Sequence, residues 1–145
     1  MKTLLARLLV KEEGYVSWGY LDHLGYLTIG IGRLIDKRKG GGISEDEAIY
    51  LLANDIDKIA AKLDIALPWW KKLDVVRQVV LMSMAFQMGV GGLVSFTRTL
   101  KAVEEGRYAD AGTSMRKSLW YRQTPARAER LARAMESGLA SGLEL

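Results

Sequence analysis

Cysteine is absent from this chain, and histidine occurs once, at His23. The first absence removes disulfides and any thiolate nucleophile or metal ligand. The second leaves almost nothing from which to build a histidine-based zinc site or a Ser/His/Asp triad. Acid–base chemistry in this chain therefore falls to carboxylates. Internal repeats and low-complexity stretches are also missing, and at 49% apolar residues the composition excludes global disorder. A chain of 145 residues suits one domain with a real core, divisible into two lobes.

A secretion signal is missing too. In MKTLLARLLVKEE, Arg7 breaks the apolar run, acidic residues follow at once, and no small-residue cleavage site appears. Leu4, Leu5, Leu8 and Leu9 instead mark one face of an amphipathic helix over about residues 3–12. The expectation is a protein made in the cytoplasm without an export signal. Charge is missing from the twenty residues Gln78 to Thr97, which is a membrane-span length. Gln87, Gly89, Gly91, Gly92 and Ser95 interrupt that run and predict a helix ending near Met88. A buried central helix followed by a turn is the expectation.

The net charge of +4 is uneven. Residues 1–64 carry nine basic and ten acidic side chains, and residues 65–145 carry twelve and seven. A basic C-terminal half suits a polyanion such as nucleic acid, an anionic membrane or a bacterial wall; a solvated surface rich in arginine accounts for it equally. Nucleic acid has no motif here beyond charge and is not expected as a partner.

Residues 15–35 alternate and are broken by Gly19 and Gly25, so they read as a small antiparallel sheet. On its last strand Leu27, Ile29 and Ile31 face one way, and Tyr26, Thr28 and Gly30 the other. The first set suits a core and the second a cleft. DKRKGGG (Asp36 to Gly42) reads as a flexible basic loop. Ser44 then caps a helix, with Glu47 completing a capping box. That helix carries Ile49, Leu52, Ile56, Ile59 and Leu63 on one face and ends before Pro68. At roughly twenty residues it spans about 30 Å, enough to connect two lobes. Beyond Pro68 all signals are helical: 68–73, 74–88, 97–104, 107–117 and 126–137. Apolar residues from Val75 to Phe86 cover nearly every face of the second of these. Thr124 and Pro125 read as an N-cap and first helical residue. Trp69, Trp70 and Trp120, at helix starts and among helices, read as core or rim residues more readily than as sugar platforms; Trp18 is open to either reading. The fold class is α+β: a small sheet lobe over about 13–60, a long bridging helix, and a larger all-helical lobe over about 65–145. The first helix is expected to pack on the helical lobe, with a cleft between the lobes.

Where the first helix meets the sheet, EEGYVSWGYLDHLGYLTIGIG brings two acids and a hydroxyl together: Glu13, Asp22 and Thr28. Cleaving a glycosidic bond needs one protonated acid for the leaving oxygen and a second carboxylate across the sugar. Glu13 lies at a helix C-terminus, where the dipole disfavours negative charge, and Tyr15 and Trp18 are placed to desolvate it. Asp22, near a turn, would stay ionised, and Thr28 would hold water. Singly, each residue reads equally well as ordinary structure: a helix-end charge, a turn residue, a strand former.

The string E-G-x₅-Y-x-D-x₂-G-x₂-T-x-G-x-G, filled by Glu13, Gly14, Tyr20, Asp22, Gly25, Thr28, Gly30 and Gly32, resembles the active-site signature of the phage-type lysozymes. These are the endolysins of tailed bacteriophages, glycoside hydrolase family 24. LDVVRQVVLMSMAFQMG (Leu73 to Gly89) and SLWYRQTPARAERL (Ser118 to Leu131) resemble two further family blocks, in the same order. The resemblance implies a lysozyme-like fold and hydrolysis of the β-1,4 bond between N-acetylmuramic acid and N-acetylglucosamine in peptidoglycan, with inversion. Glu13 would be the general acid, and Asp22 and Thr28 would position or activate water. Inversion implies carboxyl groups about 6.5–9.5 Å apart.

By the same resemblance Leu34 and Phe86 match saccharide-contact positions, and so do Thr99 and Ser114, with changed residue types. Arg127 matches an arginine that pairs with the catalytic glutamate. Arg33 stands where the family often has histidine, and its implied partner is Asp55; such a pair would keep its charge at alkaline pH. The stretch between Leu34 and Ser44 is shorter than in well-studied members, so one wall of the cleft is expected to be open. Neither cofactor nor metal is implied. The expected setting is a monomer that lyses the host, held in the cytoplasm until a separate pore-forming protein releases it to the wall. A secondary contact with anionic bacterial membrane is motivated by the basic segment Pro125 to Met135, with Arg127, Arg130 and Arg133 beside Leu131 and Met135.

Overall fold

Residues 2–35, 37 and 42–144 are described by a computed structural model. Along the chain run α1 (Lys2–Glu13), β1 (Val16–Leu21), β2 (Leu27–Gly30), β3 (Arg33–Leu34), α2 (Glu45–Ala66) and a 3₁₀ turn (Trp70–Lys72). Then follow α3 (Val75–Val94), α4 (Thr97–Glu104), α5 (Tyr108–Arg116), α6 (Leu119–Gln123), α7 (Pro125–Ser137) and a second 3₁₀ turn (Ala140–Leu143). The α+β class is as the periodicities indicate. Sequence reading did not find α6, a five-residue helix too short to show a period. The chain divides into two compact units, 1–52 and 53–145, with the division inside α2 and α1 grouped with the sheet.

In the first unit the strands form one antiparallel sheet in the order β1-β2-β3. Tyr20 and Leu34 both stand opposite Thr28, so these three side chains share a face. Among the described residues of this unit, Thr28 is the one buried side chain. Helix α2 begins as expected, with reciprocal bonds from the Ser44 amide to Glu47 Oε2 (3.0 Å) and from the Glu47 amide to Ser44 Oγ (3.4 Å). Of its anticipated apolar face only Leu63 is fully buried, and Ile49, Leu52 and Ile56 are exposed. Most of the basic loop expected at residues 36–42 lies outside the described residues.

In the second unit Leu63, Val80, Leu81, Met84, Leu93, Met115 and Met135 are fully buried. Helix α5 packs on α4 and α7, and α7 also packs on α3 and α6. Helix α3 departs from the expectation that every face is covered. Val80, Leu81, Met84 and Ala85 lie in the core, while Val75 and Phe86 are exposed. By length and composition α3 could cross a membrane, yet Gly89 interrupts it with φ 78° and ψ 159°. That left-handed φ breaks the helix where its end was expected, and helical backbone resumes as far as Val94.

Trp70 and Trp120 are core residues with their indole N–H groups satisfied, by Asp64 Oδ1 (2.8 Å) and Gln87 Oε1 (2.9 Å). Thr124 stands at the N-cap of α7 before Pro125, as expected, but its side chain makes no capping hydrogen bond. Its hydroxyl donates to the Trp120 carbonyl because Thr124 also ends α6. Leu131 and Met135, expected beside a membrane-facing surface, are buried in the core.

Arg77, near the start of α3, ties distant segments together. Its Nε donates to the Met135 carbonyl (2.8 Å), and Nη2 donates to the Glu136 carbonyl (3.0 Å). Those carbonyls lie in the last turn of α7, where cations are favoured. Nη1 pairs with Asp74, the α3 N-cap, and the guanidinium stacks on Tyr108 at 3.5 Å from the ring centroid. The side chain is 12% exposed. Arg77→Met should cost about 2–3 kcal/mol, because it leaves two helix-end carbonyls without their donor, while the half-exposed Asp74 keeps the Arg77 amide. Arg77→Lys should recover only part of that, since an ammonium lacks the planar fork. Urea denaturation of the three proteins checks this.

A second network joins α5 to α7. Arg116 bonds both Glu129 and Glu136, and Glu129 also accepts from Tyr121 Oη (3.1 Å) and Arg133 Nε (3.0 Å). The Arg116 guanidinium, with help from Tyr121 and Arg133, holds Glu129 down to about 2 from its ordinary value near 4.5. A carboxylate depressed on folding stabilises the native state above its unfolded pKa. That contribution is therefore lost as pH falls from about 4.5 toward 2. Glu129→Gln should cost on the order of 1–2 kcal/mol at pH 7 and much less at pH 3. Denaturation midpoints at the two pH values test this; an equal cost at both would refute it.

Candidate active site

Asp22 follows β1 and makes the turn into β2. Its Oδ1 accepts from the amides of Leu24 and Tyr26, both at 2.9 Å, and the Gly25 amide donates to the Asp22 carbonyl (2.9 Å). An aspartate bonding forward to its own chain is a turn-forming arrangement. The Tyr26 amide is the largest influence holding its carboxyl below the ordinary aspartate range, joined by the Leu24 amide and His23. Asp22 is therefore an anion at any pH near neutrality.

The Asp22 amide donates to the Tyr26 carbonyl (2.9 Å), continuing the β1–β2 pairing. Asp22 is two residues beyond Tyr20, and Tyr20 stands opposite Thr28, so Asp22 and Thr28 are diagonal neighbours on one face. The Thr28 hydroxyl donates to the Tyr26 carbonyl (3.0 Å). Its lone pairs remain able to accept from a water or a substrate hydroxyl.

Glu13 is the last residue of α1. Its carboxylate lies against Gly32, where a Cβ would stand 2.6 Å from Glu13 Oε2. Gly32 has φ +63°, so the position needs glycine for its backbone as well as for the close approach. The glycine-rich end of the signature thus makes room for the glutamate. Tyr15 and Trp18, expected to desolvate Glu13, are 72% and 68% exposed and do not enclose it.

The other sequence-derived residues fall into separate settings. Leu34 is exposed on β3, opposite Thr28. Phe86 is exposed on α3. Thr99 is buried on α4 and donates its hydroxyl to Ser114 Oγ on α5 (2.9 Å), so these two are brought together. Arg127 donates from Nη2 to the carbonyl and hydroxyl of Ser83, at 3.3 and 3.2 Å. The guanidinium of Arg33, assigned from sequence to Asp55, forms an ion pair with Glu47, while Asp55 is an exposed residue of α2. Glu47 was legible only as a capping residue; it serves both Ser44 and Arg33 because its two oxygens are separately occupied. Nothing in the sequence pattern marked that second role, or the Tyr26 amide and carbonyl that organise Asp22 and Thr28. Among the described residues no group of three or more His, Asp or Glu is placed to hold a metal ion.

The sequence profile of the family described as phage lysozyme matches residues 10–135, a span that includes every one of these positions. The chain is 30% identical over 165 residues to "Probable T4-type lysozyme 1" of Dictyostelium discoideum, covering 95% of this chain and 96% of that protein. It is 33% identical over 159 residues to "Pre-baseplate central spike protein Gp5" of Enterobacteria phage T4, covering 92% of this chain but 28% of the spike protein. It is also 29% identical over 133 residues to "Peptidoglycan hydrolase gp36" of Pseudomonas phage phiKMV, covering 88% of this chain and 14% of that protein. The same domain-sized sequence thus spans nearly all of one relative and a minor part of two others. A match of that extent, taking in Glu13, Asp22 and Thr28, means that this chain belongs to the phage lysozyme family and is a lysozyme-type glycoside hydrolase domain.

Proposed function

We propose that this domain is a muramidase that hydrolyses the β-1,4 bond between N-acetylmuramic acid and N-acetylglucosamine in peptidoglycan, with inversion. The observation that carries the reading is the placement of an amide-held Asp22 anion beside the Thr28 hydroxyl on one sheet face, with Glu13 set against Gly32 in the same unit. Glu13, protonated, gives its proton to the glycosidic oxygen as that bond breaks. Asp22 and Thr28 hold a water on the opposite side of the sugar ring. As the water attacks the anomeric carbon, its proton passes to Asp22, and the anomeric configuration inverts. A carboxylate with a lowered pKa is a weak resting base. Asp22 therefore contributes mainly by positioning the water and by stabilising the positive charge of the oxocarbenium-like transition state.

Glu13→Gln should leave the fold intact and lower reducing-sugar release from purified peptidoglycan by about 10²–10⁴-fold, the usual worth of a positioned general acid. The new reducing ends released by the wild type should be muramic acid, identified after borohydride reduction, and the first-formed anomer by NMR should be inverted. Undiminished sugar release by the variant would remove Glu13 from the mechanism. Reducing ends on glucosamine would replace the muramidase by a glucosaminidase.

We further propose that the domain acts in host lysis as a monomer, released from the cytoplasm through a pore made by a separate protein. This reading is supported by the sequence resemblance to endolysins. Expression in a bacterial host should leave cells intact until a pore-forming protein is co-expressed, followed by culture clearing. Clearing without that second protein would refute the dependence.

A further inference from the structure

Two cavities adjoin on the helical unit, sharing Arg98, Ser114 and Lys117 in their linings. One, of about 460 Å³, has an apolar side made by Phe96, Leu119 and Trp120. Its size is that of a small-molecule pocket. The Trp120 ring there is fixed by its indole bond to Gln87 and by edge-to-face contact with Phe96. The other, of about 320 Å³, adds Lys101, Arg107, Asp110 and Thr113.

The two halves differ in chemistry. Arg107 is already bound to Glu105 and Asp110. The one carboxylate in the lining, Asp110, is taken by Arg107, and Arg98, Lys101 and Lys117 form no ion pair among the described residues, so the recess carries an excess of positive charge. Ser114 Oγ accepts from the buried Thr99 hydroxyl, which leaves the Ser114 hydroxyl hydrogen for an incoming acceptor. A carboxylate has two oxygens and is matched by one guanidinium. Three cations from separate backbone positions, with hydroxyls between them, suit the three oxygens of a phosphate monoester. The apolar wall and hydroxyls next door suit the C–H face and hydroxyls of a sugar ring.

We propose that the paired cavities bind a phosphorylated sugar, with the ring against Phe96 and Trp120 and the phosphate among Arg98, Lys101 and Lys117. The saccharide half rests on the muramidase reading; the phosphate half does not. The site makes the domain a reader of phosphate groups on glycan.

Calorimetric titration of the Glu13→Gln domain, which holds ligand without turnover, tests this with three probes at fixed ionic strength: N-acetylglucosamine 6-phosphate, N-acetylglucosamine and inorganic phosphate. The sugar phosphate should bind tightest. Lys101→Gln and Lys101→Ala, at a residue that lines only the second cavity, should each weaken it about tenfold or more, the loss of one charge-assisted bond, and leave the unphosphorylated sugar unchanged. Equal affinity for sugar and sugar phosphate would overturn the proposal. So would inorganic phosphate binding as tightly as the sugar phosphate, which would mean a free-anion site, or variants that bind like the parent. Reducing-sugar release by the wild-type domain is followed in parallel. Binding that persists where no sugar is released would count against the muramidase reading and for this site.

Discussion

Arg77 closes the helical unit. Its guanidinium meets the Asp74 carboxylate at the start of α3, the Tyr108 ring at the start of α5, and two carbonyls in the last turn of α7. These segments are up to 59 residues apart in sequence. Each of these partners gains from a cation: the carboxylate by charge, the ring by its π face, the helix end by its dipole. Only a planar fork with several fixed donors can satisfy them together. With α7 held in this way, Ala128, Leu131, Ala132 and Met135 are buried and the basic residues of the helix are left at or near the surface. The Arg116 network secures the other side of the α5–α7 contact by the same means.

The unit that holds the sheet is built differently. It has little buried side-chain area, and Thr28 is the one fully enclosed residue among those described. Local hydrogen bonds do the organising. Asp22 forms the turn that carries it, and the same amides that fix its position hold it ionised. Turn geometry and charge state therefore share one interaction there, and removing the carboxylate would disturb both. Gly32 has the complementary role, since its missing side chain is the space that Glu13 occupies.

Much of this was legible residue by residue. The capping box at Ser44 and Glu47, Pro125 at the first turn of α7, and the break at Gly89 are local devices, and each appears where its chemistry placed it. The register that sets Asp22 diagonal to Thr28 is local in the same way, since hairpin register is set by nearby residues. Expectations that depended on distant partners fared differently. The exposed apolar face of α3 at Val75 and Phe86, the burial of Leu131 and Met135, and the Glu47 partner of Arg33 were not visible in any window of sequence. Periodicity says that a face is apolar, without saying what covers it. Charge count likewise gives no hint of which arginines are already occupied.

The sequence by itself determined the acid–base chemistry open to this protein, the α+β order of elements, and the register that sets Thr28 beside Asp22. Each of those follows from composition or from interactions within a few residues, where chain geometry leaves few choices. Tertiary structure decided which charges are spent and which are free. Arg77, Arg107 and Arg116 are bound to carboxylates, while Arg98, Lys101 and Lys117 stand around an open recess. The Arg77–Asp74 and Arg107 pairs are local, but the Arg116 pairs and the Arg77 bonds to α7 depend on which helices meet, and helix contacts are fixed by packing over the whole unit.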